Sequence, residues 1–273
     1  MNILEHAEVS FDEEYTKLLH DRLTAKFSSP VIRNATHLSD LYGCLLKAWG
    51  KHHIPEEEWH QTEGEDDPIL MWGQGLQFEA LVSEGQKQLV SAYCWECRAV
   101  ANPIRLPNGK EQERCPVCGT RWLIGTPDYK VDGIIHESKQ TRKGQRKGPM
   151  DAPWWIEQLA GYLLFERRRT GSTGSVWGRL VVNWLMGDYG ERRKGKRPKP
   201  PRSAVDGFRV RFPEDEEFWR GWESELRRRQ QIVDGKLMPT VSMPGDESID
   251  SPRWNFECPS CPVGKLLNCT NWI

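Results

Sequence analysis

The dipeptide Asp132-Gly133, inside TPDYKVDGIIHESK at residues 126–139, narrows the fold of this chain more than any other feature. Both central residues of a type I′ hairpin turn need positive φ, which Asp-Gly adopts at low cost. A two-residue loop fixes the register, so Val131 faces Ile134, Lys130 faces Ile135, Tyr129 faces His136 and Asp128 faces Glu137. Cross-strand partners share a face with Cβ atoms about 5 Å apart, and Lys139, two residues beyond Glu137, lies on that face too. Asp128, Glu137 and Lys139 are therefore expected to converge. Two ionised acids at such a distance repel by about 3 kcal/mol at an effective dielectric near 20, more than the ~0.2–1 kcal/mol of a good cross-strand pair. A positive charge is expected between them.

Two acids and an amine on one face suit a hard cation. Mg²⁺ or Mn²⁺ takes oxygen ligands in near-octahedral geometry and usually keeps water and substrate phosphate in its shell. Such an ion offsets the repulsion and stabilises charge developing on a phosphate, and Lys139 would hold the attacking water or neutralise that charge. The competing reading is a surface hairpin of alternating charges in which Lys139 pairs diagonally with an acid.

The eight cysteines fall into two sets. Cys94, Cys97, Cys115 and Cys118 form CWEC and CPVC with 17 residues between, the spacing of a zinc ribbon, and Asn108-Gly109 marks a hairpin turn in the intervening loop. Cys258, Cys261 and Cys269 cluster in CPSCPVGKLLNC, leaving Cys44 in LSDLYGCLLKAWG. Together these four would form a second thiolate site for zinc or an iron–sulfur cluster, joining distant parts of the chain. Alternatively, Cys44 is a buried helix residue.

A chain of 273 residues accommodates one large α/β domain with insertions, or two small ones. No run of 18 or more apolar residues occurs, and MNILEHAEVSFDEE is acidic where a signal peptide is basic, so a soluble, cytoplasmic protein with no membrane partner is expected. The formal net charge of −1 hides strong segregation, with basic tracts at 139–147 and 192–202 able to contact phosphates. Helical spacing of Phe11, Tyr15, Leu18, Leu19 and Leu23 predicts a helix within residues 1–30. A second, capped by Ser39 or Asp40, carries Leu41, Cys44, Leu45 and Trp49; a third carries Glu79. DAPWWIEQLAGYLLFERRR opens a further helix at Asp151 and Pro153, with Gln158 and Tyr162 on one face. SVWGRLVVNWL and FRVRF read as strands, and DEEFWRGWESELRRRQQIV as a last helix.

Pro127-Asp128 followed by Glu137-Ser138-Lys139 resembles the signature of the PD-(D/E)xK nuclease superfamily. Gln158-Leu159-Ala160-Gly161-Tyr162 is similar to the Q-x-x-x-Y element of its RecB-like branch. Cys44 with Cys258, Cys261 and Cys269 resembles the pattern by which CRISPR-associated exonucleases of the Cas-four type, and AddB-type repair nucleases, hold a [4Fe-4S] cluster. The resemblance implies one α/β nuclease domain over 1–273, a restriction-endonuclease-like mixed sheet flanked by helices. On this resemblance the ribbon at 91–122 would be an insertion, and the cysteines within 256–273 would form an iron–sulfur staple to Cys44. It further implies that Asp128 and Glu137, helped by Glu79 where relatives carry histidine, bind Mg²⁺ or Mn²⁺, that Lys139 assists the water, and that Gln158 and Tyr162 position the strand. Arg142, Lys143, Arg146, Lys147, Arg192, Arg193, Lys194, Lys196 and Arg197 would contact DNA, and tryptophans such as Trp154 and Trp155 would stack bases or pack the core. The implied activity is a metal-dependent DNA nuclease acting on ends or single strands, serving a CRISPR adaptation, helicase or viral replication or recombination complex in a prokaryotic host or virus-infected cell. The alternative is a catalytically silent nucleic-acid-binding or assembly protein that reads through its ribbon.

Overall fold

The computed structural model describes residues 2–15, 36–55, 58, 78–83, 86, 90–102, 112–141, 148–171, 174–186 and 202–237. Its strands are β1 (Glu8–Phe11), β2 (Ser91–Cys94), β3 (Ala99–Ala101), β4 (Leu123–Gly125), β5 (Tyr129–Val131), β6 (Ile134–Thr141), β7 (Trp177–Met186) and β8 (Arg202–Arg211). The helices described along their whole length are α1 (Leu45–His53), α2 (Pro153–Arg169) and α3 (Glu216–Val233). A mixed five-stranded sheet runs β1-β8-β7-β6-β5, and a second sheet runs β3-β2-β4. Among the described strands, only β6 and β7 pair in parallel, and α2 is the crossover between them, as a parallel connection requires.

The sequence dictates α2 at both ends. Pro153 sits in the first turn with its φ already helical, and Arg167, Arg168 and Arg169 occupy the last turn, where cations oppose the helix dipole. Between them, every residue from Trp155 to Phe165 is buried. A helix buried all round lies inside a protein. It packs on β6 and β7 on one side and on β3, β4 and α3 on others. Ile156, Leu159, Leu163, Leu164 and Phe165 each contribute about 2 kcal/mol by leaving water, before the entropy of ordering them. On the other sheet face a smaller cluster gathers Tyr15, Phe78, Val82, Tyr129, Val181 and Val205.

Four expectations change. Residues 8–11 form the edge strand β1, not a helix: EVSF also fits a period of two, β8 offers its free edge, and Val9 packs on the core while Phe11 stays 54% exposed. Cys44 is not within a helix but caps α1, its Sγ accepting from the Lys47 N–H at 3.4 Å, because Leu38–Leu41 closes as a separate 3-10 turn. Asp151 ends a 3-10 turn and Ala152 is the N-cap of α2, with no side-chain cap. The strand read at FRVRF begins earlier, at Arg202, since β7 offers ten residues for it to pair. By contrast, Asp215 caps α3 through the Glu217 N–H at 3.0 Å.

Close approach at α2 depends on Gly161. A methyl group there would fall well inside contact distance of the Tyr42 hydroxyl and the Leu38 side chain. Helix propensity favours Gly161→Ala by about 1 kcal/mol, but overpacking a closed core costs about 1–3 kcal/mol. The expected net outcome is a loss of up to about 2 kcal/mol in chemical denaturation, against the helix propensity.

Candidate functional site

The hairpin has the register that Asp132-Gly133 sets: Tyr129 pairs with His136, Lys130 with Ile135 and Val131 with Ile134. Asp132 and Gly133 have φ of 51° and 79°, the two positive values of the type I′ turn. Asp128 stands just before β5, where its Oδ2 accepts from the Ser138 N–H at 2.5 Å. On β6, Glu137 and Lys139 lie beside Leu180 and Val182 of β7. Glu137 is 1% exposed. The Lys139 Nζ donates to Glu137 Oε1 and, at 2.8 Å, to Gln158 Oε1. Gln158 Nε2 in turn donates to the Tyr162 hydroxyl at 2.8 Å. Their spacing of four residues on α2 makes that contact possible. Glu137, Lys139, Gln158 and Tyr162 thus form one hydrogen-bonded chain between sheet and helix.

Charge gathers in the same place. Burial, then the charges of Glu137 and Glu79, push the Asp128 carboxyl well above the usual carboxylate range, against Lys139 and the Ser138 N–H. Part of Asp128 reaches solvent while its carboxyl is enclosed. Burial, followed by Glu137 and Asp128, also holds the Tyr162 phenol up. The helical residues 78–82 bring Glu79 within electrostatic reach of Asp128. These three acids share the pocket with one lysine, so any ionised pair leaves it short of positive charge. Lys139 supplies part of the cation expected there, sitting on Glu137 of its own strand rather than diagonally across on Asp128.

Sequence reasoning missed what supports this chain. Arg229 of α3, 3% exposed, donates to Glu157 Oε2 at 2.9 Å, to Glu225 Oε1 at 2.8 Å and to the Leu41 carbonyl at 3.2 Å. One guanidinium thereby ties α2 to α3 and to the turn before α1, directly beside Gln158. A buried charge this well bonded is stable, whereas removing one partner typically costs about 3–5 kcal/mol. The one sequence signal was Glu157, an acid in a helix otherwise buried. Tyr42 stands close by, its phenol raised by burial and then modulated by Arg229, Glu157 and Glu137. On the opposite sheet face, Tyr129 stacks on His136 at 4.5 Å, the Tyr15 and Tyr129 hydroxyls meet at 2.8 Å, and Arg179 lies 4.0 Å over Tyr15. Trp155 packs into the core at 6% exposure, and Trp154 is partly buried against it.

The four ribbon cysteines come together. Among the described residues, Cys94, Cys97, Cys115 and Cys118 are the group whose ligand atoms all lie within 4.8 Å of one another. The sulfurs of Cys94 and Cys118 are 3.4 Å apart, and those of Cys97 and Cys115 3.8 Å apart. Metal–sulfur bonds of about 2.3 Å in a tetrahedron separate thiolates by about 3.8 Å, so the cluster could hold a single metal ion. Hydrogen bonding from Thr120 lowers the Cys118 thiol to about 6. Burial pushes Cys94 up, and hydrogen bonding with Cys118 pushes Cys97 to about 12. One thiolate forms readily and opposes the next, which is the charge imbalance a bound cation removes. The carboxylates of Asp128, Glu137 and Glu79 do not close on one another to this degree.

Cys258, Cys261 and Cys269 lie outside the described residues, as do Arg142, Lys143, Arg146, Lys147, Arg192, Arg193, Lys194, Lys196 and Arg197 and the Asn108-Gly109 turn. Cys44 is half-buried. Among the described residues, no helix is long and apolar enough to cross a membrane.

No protein-family model matches this chain, and no curated protein matches it. Among solved structures, the crystal structure of SSO0001 is similar over 94% of this chain and 96% of that one, at 14% identity and a TM-score of 0.44. A likeness this slight carries no argument about function.

The ribbon makes a quantitative expectation. Elemental analysis of purified protein should find one metal equivalent fewer in Cys115→Ser than in the wild type, together with a lower melting temperature. Equal metal content in the two would exclude the cluster as a metal site.

Proposed function

We propose that this protein is a metal-dependent DNA nuclease whose working residues are Asp128, Glu137, Lys139, Gln158 and Tyr162, with Glu79 in support. The carrying observation is the position of Lys139: its amine is fixed by Glu137 and Gln158, beside an Asp128 carboxyl raised by burial, Glu137 and Glu79. Hard oxygen donors in a pocket short of positive charge fit Mg²⁺ or Mn²⁺, and Asp128, Glu137 and Glu79 would hold it. Bound there, the ion would supply positive charge against a phosphodiester and acidify water.

The chain's own residues do the rest. Lys139 presents a compact charge that orients water or neutralises the phosphate, and Gln158 fixes the direction of that amine. Tyr162, linked through Gln158, keeps the amide from rotating away. The restriction-endonuclease-like architecture belongs to the same proposal, consistent with a mixed sheet whose parallel pair is bridged by α2. So do zinc at the ribbon and, through Cys44 with Cys258, Cys261 and Cys269, a [4Fe-4S] cluster. Basic tracts outside the described residues would contact the DNA backbone.

A second reading has its own support. Lys139 is already satisfied by protein acceptors, and the three carboxylates are not drawn to a common point, as in a silent DNA-binding or assembly protein. Digestion of labelled linear and circular DNA with Mg²⁺ or Mn²⁺ separates the two. Wild-type protein should cleave, and Lys139→Ala should lose at least about a hundredfold in rate, the scale of one electrostatic group at a reacting phosphate. Tyr162→Phe, which retains the ring, should lose far less. Wild-type protein that binds DNA and cleaves none of these substrates with either metal would overturn the nuclease reading and favour the second.

A further inference from the structure

The first cysteine knuckle, the end of α2 and the outer face of α3 enclose a cavity of about 380 Å³, lined by Trp95, Arg98, Arg168, Arg220, Glu223 and Arg227 among others. Its size suits a ligand of nucleotide dimensions. Four guanidinium groups converge on it, and they differ in how they are matched. Arg168 is paired with Glu216 at 2.6 Å and Glu223 at 2.7 Å, and Arg227 with Glu96 at 2.5 Å. Arg98 and Arg220, both exposed, make no ion pair or hydrogen bond among the described residues. Two exposed cations are thus left over on walls where Glu216, Glu223 and Glu96 are matched by Arg167, Arg168 and Arg227.

The backbone at Arg98 singles it out. The two knuckles follow the same course, and the residue after the second cysteine adopts a left-handed conformation in each, φ 73° at Gly119 and 49° at Arg98. Glycine takes that conformation freely and arginine does not. The knuckle that carries the costlier residue is the one that faces the cavity. It is also held firmly, since Trp95 donates through its indole N–H to Gln230 of α3 and is 7% exposed. Arg98 is therefore presented from a rigid turn, the condition under which a guanidinium loses least freedom on binding.

We infer that this cavity is a binding site for a nucleotide phosphate, gripped by Arg98 and Arg220 over a floor that includes Trp95. Arginine's planar fork matches phosphate oxygens in pairs, and the balanced Arg168 and Arg227 keep the walls ordered without competing for it. Arg168 lies ten residues beyond Gln158 on α2, about 15 Å along its axis, so this is a second site and does not depend on the reading of the first. The phosphate could belong to a free nucleotide or to a single strand, and the test separates these sources.

Binding of fluorescein-labelled dT12 to the 273-residue chain as purified is followed by anisotropy without added Mg²⁺ or Mn²⁺, so that cleavage plays no part. Arg98→Asn, which tolerates the left-handed backbone, combined with Arg220→Ala should weaken binding about tenfold. The same double variant should reduce the slope of log affinity against log salt by about 0.7, one single-strand phosphate contact. Arg98→Lys should keep the slope, which a purely structural role would not explain. Displacement of dT12 by dTMP assigns the site to a free nucleotide; displacement only by unlabelled dT12 assigns it to a strand. A double variant with wild-type melting temperature, affinity and salt slope would sink the assignment.

Discussion

Helix α2 has no face left over, and the rest of the molecule is arranged around that fact. A helix of 17 residues buried along most of its length must find partners on every side. The five-stranded sheet takes one side; α3 and the strands carrying the cysteine knuckles take others. Gln158 and Tyr162 project to the sheet, Glu157 to Arg229, and Arg168 to the cleft beside the first knuckle. One rigid rod therefore sets the relative positions of the carboxylate pocket, the buried ion network and the arginine-lined cavity.

The polar groups on that rod are costly to bury, and each is compensated by a specific partner. Glu157 faces a guanidinium that also satisfies Glu225 and a backbone carbonyl. Gln158 exchanges both ends of its amide, accepting from Lys139 and donating to Tyr162. The hairpin pocket differs, because three acids meet one lysine and the Asp128 carboxyl is forced up. The same contrast separates the cysteine and carboxylate clusters: four sulfurs have closed to single-ion distances, while Asp128 Oδ2 and Glu137 Oε1 are engaged with protein donors.

What could be read from the sequence was local. Asp132-Gly133 set the hairpin register because both turn residues took positive φ, whatever the rest of the fold did. The CxxC spacings brought four sulfurs together for a similar reason, since each knuckle is built from adjacent residues. Gln158 and Tyr162 met because they lie one turn apart on a helix. Other features depended on distant partners. Arg229 finds Glu157 across 72 residues and the Leu41 carbonyl across 188, and no spacing rule announces such a match. EVSF at 8–11 fitted two periodicities, and only the open edge of β8 decided between them. Tyr42 was invisible for the same reason: its place against Gly161 exists only once α2 has packed.

The joint between β4 and the hairpin is short. Gly125, the last residue of a fully buried strand, is separated from Asp128 by Thr126 and Pro127 alone, and proline stiffens that link. Two residues absorb little displacement. Any force that tilts the knuckles would be handed along taut chain to the aspartate, a mechanical linkage between the sulfur cluster and the carboxylates.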